Sequence, residues 1–419
     1  MGRGVAERVA IDRLGGRGDG VADTEAGPLF VPFALPGETA LIERQGRFAK
    51  LVGIEAPSPE RAAPFCPYFG ACGGCAAQHM AAPVYESWKR GLVATALRQA
   101  GVPAEVGPLL EAGGEGRRRL TLHARFRDGQ VLVGYMAARS HDLVDIGHCP
   151  IAEPSLREAA PGAARVLAGA LGRARKPLDI QLTATEAGLD VDLRGHGPAS
   201  AAERLALAEA ASRLDLARLT LHGDLVVERR PPWIAMGRAR VAPPPGAFLQ
   251  ATRLGEERLS ELVAEACADA KRVADLFAGC GPFALRLAAG REVHAADSDA
   301  ASLRALDRAA RAATLRPVTT EPRDLFRRPL LPPELDRYDA VVLDPPRAGA
   351  EAQARQIAAA SVPLAVSVSC DPGSFARDAA LLLAGGFRLE QVTPVDQFQY
   401  GAHVEIVGVF RRDRRRRRR

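Results

Sequence analysis

The chain has 419 residues, 47% of them hydrophobic, which is enough for two to four domains with separate cores. Its formal charge is +6, but residues 411–419 hold eight Arg and one Asp and contribute +7, leaving the rest of the chain at −1. No apolar run reaches the roughly 20 residues of a membrane span, and the start Met1-Gly2-Arg3-Gly4-Val5 lacks the apolar centre of a signal peptide. A cytoplasmic protein without membrane contact is expected, and its high isoelectric point says little about the body.

Residues 1–57 alternate apolar and polar side chains between glycine-rich turns. Val9-Ala10-Ile11, Leu29-Phe30-Val31-Pro32-Phe33 and Thr39-Ala40-Leu41-Ile42 predict short strands. A small β-barrel is expected, because closure removes exposed edges. Residues 58–80 form a loop rich in Pro and Cys. Apolar residues at 84, 88, 92, 93, 96 and 97 predict a helix from Val84 to Ala100. Hairpins are predicted across 118–137, turning at Asp128-Gly129, and across 178–194. Residues 117–127 carry five Arg and no acid, which suits a strand lining a phosphate groove or a solvated strand face. Ser200 is a candidate N-cap for a helix reaching Arg213, and Pro243-Pro244-Pro245-Gly246 predicts a linker.

From about 247 the chain alternates. Helices are predicted at 254–270, 283–289, 299–312 and 373–384, and strands at 272–277, 292–296, 338–343, 363–369, 387–395 and 403–410. The pattern implies an α/β domain with a doubly wound, mostly parallel sheet. Residues 411–419 are expected to be a disordered Arg-rich tail.

Four of these strands end on polar or reactive groups, at the edge where open α/β sheets bind ligands. The first runs into Ala278-Gly279-Cys280-Gly281-Pro282, a turn that lets backbone approach a ligand closely. The next strand ends on Asp297, a carboxylate able to accept both hydroxyls of a ribose. Asp324 could meet an adenine amino group. A third strand stops at Asp344-Pro345-Pro346-Arg347, and a fourth at Cys370-Asp371-Pro372. The ordered set Gly279, Asp297, Asp324 and Asp344 looks like the class I S-adenosylmethionine-dependent methyltransferase series, although the glycines alone leave a nicotinamide oxidoreductase open. A thiolate adding to C6 of uracil turns C5 into a nucleophile, and a nearby base must then remove the C5 proton. His403 and Glu405, placed on one face of the last strand by its period of two, are candidates for that position. Taken alone, Cys370 also fits an inert core thiol.

Seven Cys in a cytoplasmic chain argue against a disulfide framework. Cys66, Cys72 and Cys75 crowd into one loop, with Cys149 remote. Four soft ligands suit zinc or a [4Fe–4S] cluster, and one tight group plus a remote Cys fits the cluster better.

Together these residues resemble the bacterial RNA (uracil-5-)-methyltransferases, especially the 23S ribosomal RNA type, over nearly the whole chain. Leu35-Pro36-Gly37-Glu38 resembles the TRAM domain, an OB-fold RNA-binding module. Cys66-Pro67, Cys72-Gly73-Gly74-Cys75, Gln78-His79 and Cys149-Pro150-Ile151 resemble the family's iron–sulfur motif. Phe248-Leu249-Gln250, Asp275-Leu276-Phe277, Asp344-Pro345-Pro346-Arg347, Ser369-Cys370 and His403-Val404-Glu405 resemble its catalytic motifs.

The resemblance implies a TRAM-like barrel at 1–57 and a central iron–sulfur α+β domain at 58–246. It implies a Rossmann-like methyltransferase domain at 247–410, on which the helix near 84–100 packs. Cys370 would be the nucleophile and Glu405 the proton acceptor. Gln250, Phe277, Gly279, Asp297, Asp324 and Asp344 would hold S-adenosylmethionine and the base, and Cys66, Cys72, Cys75 and Cys149 a [4Fe–4S] cluster. The partner would be RNA, 23S rRNA before the T-loop of tRNA, and the enzyme a monomer. An iron–sulfur RNA-binding protein without catalysis is the alternative of another class. Two positions depart from the family pattern, Asp371 after the nucleophile and Thr252 closing Phe-x-Gln-x-Thr. Asp371 is expected to raise the thiol's pKa.

Overall fold

The computed structural model describes residues 6–172 and 178–412. The chain divides into two compact units. One comprises the described residues up to Leu92 with Tyr135–Val144 and Phe398–His403, and the other comprises Val93–Gly134, Asp145–Gln397 and the residues from Val404 onward.

The first unit begins with a six-stranded sheet. Its strands lie in the order Glu7–Ala10, Thr39–Gln45, Phe48–Ala56, Gly27–Val31, Gly20–Thr24, Arg13–Leu14. Alternation sends Ala40 and Ile42 inward, where they meet Val9, Ile11, Leu29 and Val31. The strands at opposite ends of that order, Glu7–Ala10 and Arg13–Leu14, are joined by Ile11 and Asp12 alone. Glu38 is fully buried after the Pro36-Gly37 turn. It accepts from the Leu35 and Ser58 amides at 2.8 and 3.1 Å and from Arg61 at 2.6 Å, which ties the sheet to the Cys loop. Within the same unit the Phe398–His403 segment is held firmly. Its Tyr400 carbonyl accepts from the Ala76 and Ala77 amides at 2.7 and 3.1 Å. The fully buried Lys89, on the helix Ala82–Gln99, donates to the carbonyls of Phe398 and His403.

In the second unit a mixed sheet places Arg119–Arg127, Leu178–Thr185, Gly188–Arg194, Arg218–Leu221 and Asp224–Glu228 side by side. The first hairpin turns at Asp128 and Gly129, with φ of 50° and 80°, the left-handed pair a two-residue hairpin needs. Ser200 caps the helix Ala201–Arg213 in a capping box with Glu203. The Pro243–Gly246 stretch is no loose linker, because buried Arg218 donates to the Pro243 carbonyl at 2.9 Å.

The largest sheet lies wholly in this unit and has eight strands. Their order is Val318–Pro322, Glu292–Asp297, Arg272–Leu276, Ala340–Leu343, Leu364–Ser369, Glu405–Arg412, Phe387–Asp396, Leu110–Glu111. The first five run parallel and Glu405–Arg412 is antiparallel to both its neighbours. Parallel strands are covered on both faces, so Val273, Val293, Val342 and Val366 are core residues alongside Leu303 and Leu306 of the helix Ala300–Ala312. Ala96, Gln99 and Ala100 line a cleft together with residues of the helices Glu351–Ala359 and Pro372–Ala384.

Several expectations need correction. The last strand starts at Glu405, so His403 precedes it; His403 is exposed, its ring edge-on to Phe398 at 5.9 Å. Arg411 and Arg412, expected in the tail, continue that strand, and residues 413–419 lie outside the described residues. No strand was predicted at Val318–Pro322, which has one large apolar residue, and no helix at Glu351–Ala359, whose buried face is Gln353, Ala354 and Ile357. No helix among the described residues is long and apolar enough to cross a membrane.

Candidate active site

The antiparallel pairing of Leu364–Ser369 with Glu405–Arg412 ends at Ser369 opposite Ile406. One residue further along each strand stand Cys370 and Glu405, so the backbone register itself sets thiol beside carboxylate. Asp344 ends the adjacent parallel strand. The three groups feel one another strongly. Burial pushes the Cys370 thiol up to about 11; the carboxylates of Glu405 and Asp344 add to this and Arg347 opposes it. Burial raises Glu405 to about 7, against a hydrogen bond from Gln397 and the charge of Arg347. Asp344 is pushed well above the usual carboxylate range by burial, then by Glu405 and Asp275. The carboxylates acting on the thiol are therefore Glu405 and Asp344. Asp371 instead turns to the start of the helix Pro372–Ala384, accepting from the Ser374 amide at 2.8 Å.

A chain of amides joins these carboxylates. Gln250 donates to Asp344 Oδ2 at 3.0 Å, Gln397 donates to Gln250 Oε1 at 2.7 Å and to Glu405 Oε1 at 3.0 Å. Glu405 Oε2 is buried without a hydrogen-bond partner. Gln250 is itself fixed through its backbone. The almost fully buried Arg118 donates to the Gln250 carbonyl at 3.0 Å and pairs with buried Glu256, whose other oxygen meets Arg286 at 2.9 Å. Thr252 caps the helix Arg253–Ala266, accepting from the Gly255 amide at 2.8 Å and donating to the Ala112 carbonyl at 2.5 Å. The Arg-rich strand is thus not uniformly a groove lining. Arg118 is an internal strut, while Arg119 donates to the Ala247 carbonyl at 3.0 Å and lies 5.2 Å over the exposed Phe248 ring.

The glycine turn forms the other half of the site. Phe277 holds a left-handed φ of 64°, costly for a bulky residue and characteristic of functional turns; its ring lies 5.4 Å from that of the half-exposed Phe326. Gly279 donates to Asp297 Oδ2 at 2.9 Å, and the space where its Cβ would project is open. Asp297 Oδ1 accepts from the Asp299 amide at 2.7 Å. Asp324 is turned to its own loop, accepting from the Phe326 and Arg327 amides at 3.0 and 3.2 Å. Asp275 is fully buried with neither carboxylate oxygen hydrogen-bonded, and burial, with Asp297 adding, raises it to about 7. An open glycine, an oriented strand-end carboxylate and orphaned buried oxygens fit a polar nucleoside cofactor such as S-adenosylmethionine. By contrast Cys267 and Cys280 are core thiols, raised by burial to about 12 and about 11.

The sequence reading overlooked Gln397, Arg118 and Glu256. Gln397 directly follows the strand Phe387–Asp396, and the strand-end rule that found Asp344 and Cys370 would have found it. Nothing in an Arg-rich run distinguishes the one buried arginine.

All seven cysteines are free thiols. Cys66, Cys72 and Cys75 lie in the first unit and Cys149 in the second. The Gly74 amide donates to Cys72 Sγ at 3.4 Å, and backbone packs tightly at Gly73, where a Cβ would stand 2.8 Å from the Met136 carbonyl. The donor chemistry fits a thiophilic cluster. Among the described residues, however, no three His, Cys, Asp or Glu are gathered closely enough to hold a metal ion.

Comparison with known proteins identifies the family. No protein-family model matches the chain. An uncharacterized RNA methyltransferase of Rhizobium meliloti is 44% identical over 409 residues, covering 96% of this chain and 98% of that protein. The 23S rRNA (uracil(1939)-C(5))-methyltransferase RlmD of Yersinia enterocolitica is 33% identical, covering 96% of this chain and 94% of that protein. Among solved structures, the tRNA (uracil-54, C5)-methyltransferase of Pyrococcus abyssi, in complex with S-adenosyl-L-homocysteine, superposes with a TM-score of 0.75 at 21% identity, covering 96% of this chain and 99% of that one. That structure therefore shares the fold over 96% of this chain, and identities of 44% and 33% over nearly the whole sequence show that the chain belongs to the RNA methyltransferases.

Proposed function

We propose that this enzyme methylates C5 of a uridine in RNA, with 23S rRNA as the substrate. The observation that carries the reading is the juxtaposition of Cys370 and Glu405 at the ends of paired strands. Cys370, as thiolate, would add to C6, and the C5=C6 electron pair would move to C5 and O4. S-adenosylmethionine, when bound, supplies the methyl group to C5 and leaves as S-adenosylhomocysteine. Glu405 would then take the C5 proton, the C–H electrons would re-form C5=C6, and the C6–S bond would break to return the thiolate. Arg347, a cation acting on both Cys370 and Glu405, would favour their charged forms. Gln250, Phe277, Gly279, Asp297, Asp324 and Asp344 would line the cofactor and base site. A stacked uracil hides C6, so the target would be unpaired or flipped out.

A [4Fe–4S] cluster on Cys66, Cys72, Cys75 and Cys149 would have a structural or RNA-positioning role, supported by four free thiols in that spacing and by the Gly74 amide on Cys72. A TRAM-like barrel at 1–57, a cluster module at 58–246 and a catalytic module at 247–410 complete the reading. The barrel is supported by end strands that only two residues join. A monomer acting in the cytoplasm is the corresponding state. For the substrate, full-length identity to RlmD favours 23S rRNA. Mapping 5-methyluridine in a deletion strain tests this. Loss of one 23S rRNA site is expected; loss from tRNA with 23S rRNA unchanged would overturn the substrate and leave the chemistry standing.

A further inference from the structure

Gln397 belongs to none of the motifs discussed, yet it is almost fully buried between Gln250 and Glu405. Its seat is specific. A Cβ at Gly255, on the first turn of the neighbouring helix, would stand 2.7 Å from the Gln397 Cβ and 2.9 Å from its Oε1, so the absence of a side chain there makes the notch that Gln397 fills.

The direction of its amide is settled by one backbone group. The Ala251 N–H can only donate, and it points at Gln397 Oε1 at 2.8 Å. The Gln397 NH₂ therefore faces the other way, and both its protons are used, one on Gln250 Oε1 and one on Glu405 Oε1. This in turn sets Gln250, whose oxygen must face Gln397 and whose NH₂ must face Asp344. Glu405 Oε1 receives an N–H, which disfavours its protonation, because a hydroxyl oxygen is a weaker acceptor than a carbonyl oxygen. Oε2, buried and without a partner, is the one left to take the proton. A protonated Glu405 keeps Oε1 as a carbonyl acceptor, so the bond to Gln397 survives proton uptake and the side chain need not turn.

We infer that Gln397 is a positioning residue: it directs proton uptake by Glu405 to Oε2 and, through Gln250, sets the orientation of the amide facing Asp344. This rests on the uracil-C5 reading above. Among the described residues, Arg347 acts on Glu405, and Glu405 in turn acts on Asp344 and Cys370. On the adjacent strand Val395 is opposite Glu405, which puts Asp396 on the other face.

The test is the pH profile of adduct resolution in single turnovers with uridine-containing RNA and S-adenosylmethionine. Gln397→Met keeps the size and removes both N–H donors. A charge-assisted hydrogen bond lost from a buried carboxylate should move the acid limb up by about one to two pH units, with the rate recovering on the alkaline side. Should that variant lose its cooperative thermal transition, Gln397→Glu serves. A second carboxyl group against Glu405 moves the limb upward as well, because neighbouring like charges disfavour ionisation. A uniform loss of rate at every pH would reduce Gln397 to a packing residue, and an unchanged profile would remove it from the site; either result overturns the inference. Wild-type enzyme that leaves uridine unmethylated at all pH values fails differently, by overturning the uracil-C5 reading first.

Discussion

Replacing Asp275 with Asn should make the protein relatively more stable in base than in acid, by an amount the structure sets. Asp275 is fully buried near the end of the strand Arg272–Leu276, with no hydrogen bond to either oxygen. Burial foremost, with the charge of Asp297 adding and the nearby Ala284 amide opposing, raises it from 3.8 to about 7. Between these two values the folded chain holds a proton that the unfolded chain has released. The stability tied to this group is therefore fully present below 3.8 and lost as the pH climbs through 7. From pH 5 to pH 8 the loss is about 2–3 kcal/mol, at about 1.36 kcal/mol per unit. Asn does not titrate. Its unpaired buried amide costs about 1–3 kcal/mol, but equally at both pH values. The measurement is urea unfolding of the wild type and the Asp275→Asn variant at pH 5 and at pH 8, with unchanged slopes. Between the two pH values the stability difference should shift by about 2–3 kcal/mol in favour of the variant. A difference that is the same at both pH values would refute the buried, unpaired carboxylate.

Further outcomes follow from the same geometry. Glu405→Gln should slow release of product by about 10²–10⁴-fold and accumulate the enzyme–RNA adduct, seen as a complex that survives denaturing electrophoresis. In the wild type, product release should fall as the pH drops through 7, because Glu405, raised to about 7, must be deprotonated to act as a base. Gly281→Ala should destabilise by about 2–4 kcal/mol in denaturant unfolding. It forces a side chain into φ of 85° with its Cβ 2.5 Å from Leu306 Cδ1. Protein purified without oxygen should contain about four iron and four sulfide, and Cys149→Ser should lower both; stoichiometric zinc instead would contradict the cluster.

Much of the candidate site's placement was legible because buried parallel strands advertise their ends. An apolar run that stops at Gly-x-Gly, at Asp344-Pro345 or at Cys370-Asp371 can be read without knowing the fold. What stayed hidden depends on partners distant in sequence. Arg118 looks like its neighbours until Glu256 and the Gln250 carbonyl are seen to enclose it. Asp371 looked like a charge beside the thiol, but a helix start claims its carboxylate. His403 and Glu405 looked like one strand face, but the strand begins two residues later than their spacing suggested. Gln397 follows a strand end that the same rule marks, but its partners Gln250 and Glu405 and the notch at Gly255 that seats it are visible only in the fold.

The central claim is that Cys370 attacks uracil C6. RNA carrying 5-fluorouridine at the target tests it directly, because Glu405 cannot remove fluorine as F⁺ and the adduct cannot resolve. With S-adenosylmethionine present, the wild type should form a covalent complex whose crosslinked peptide contains Cys370, and Cys370→Ala should form none. A wild-type enzyme that binds this RNA and methylates the unfluorinated one, yet yields no covalent complex, would contradict the account.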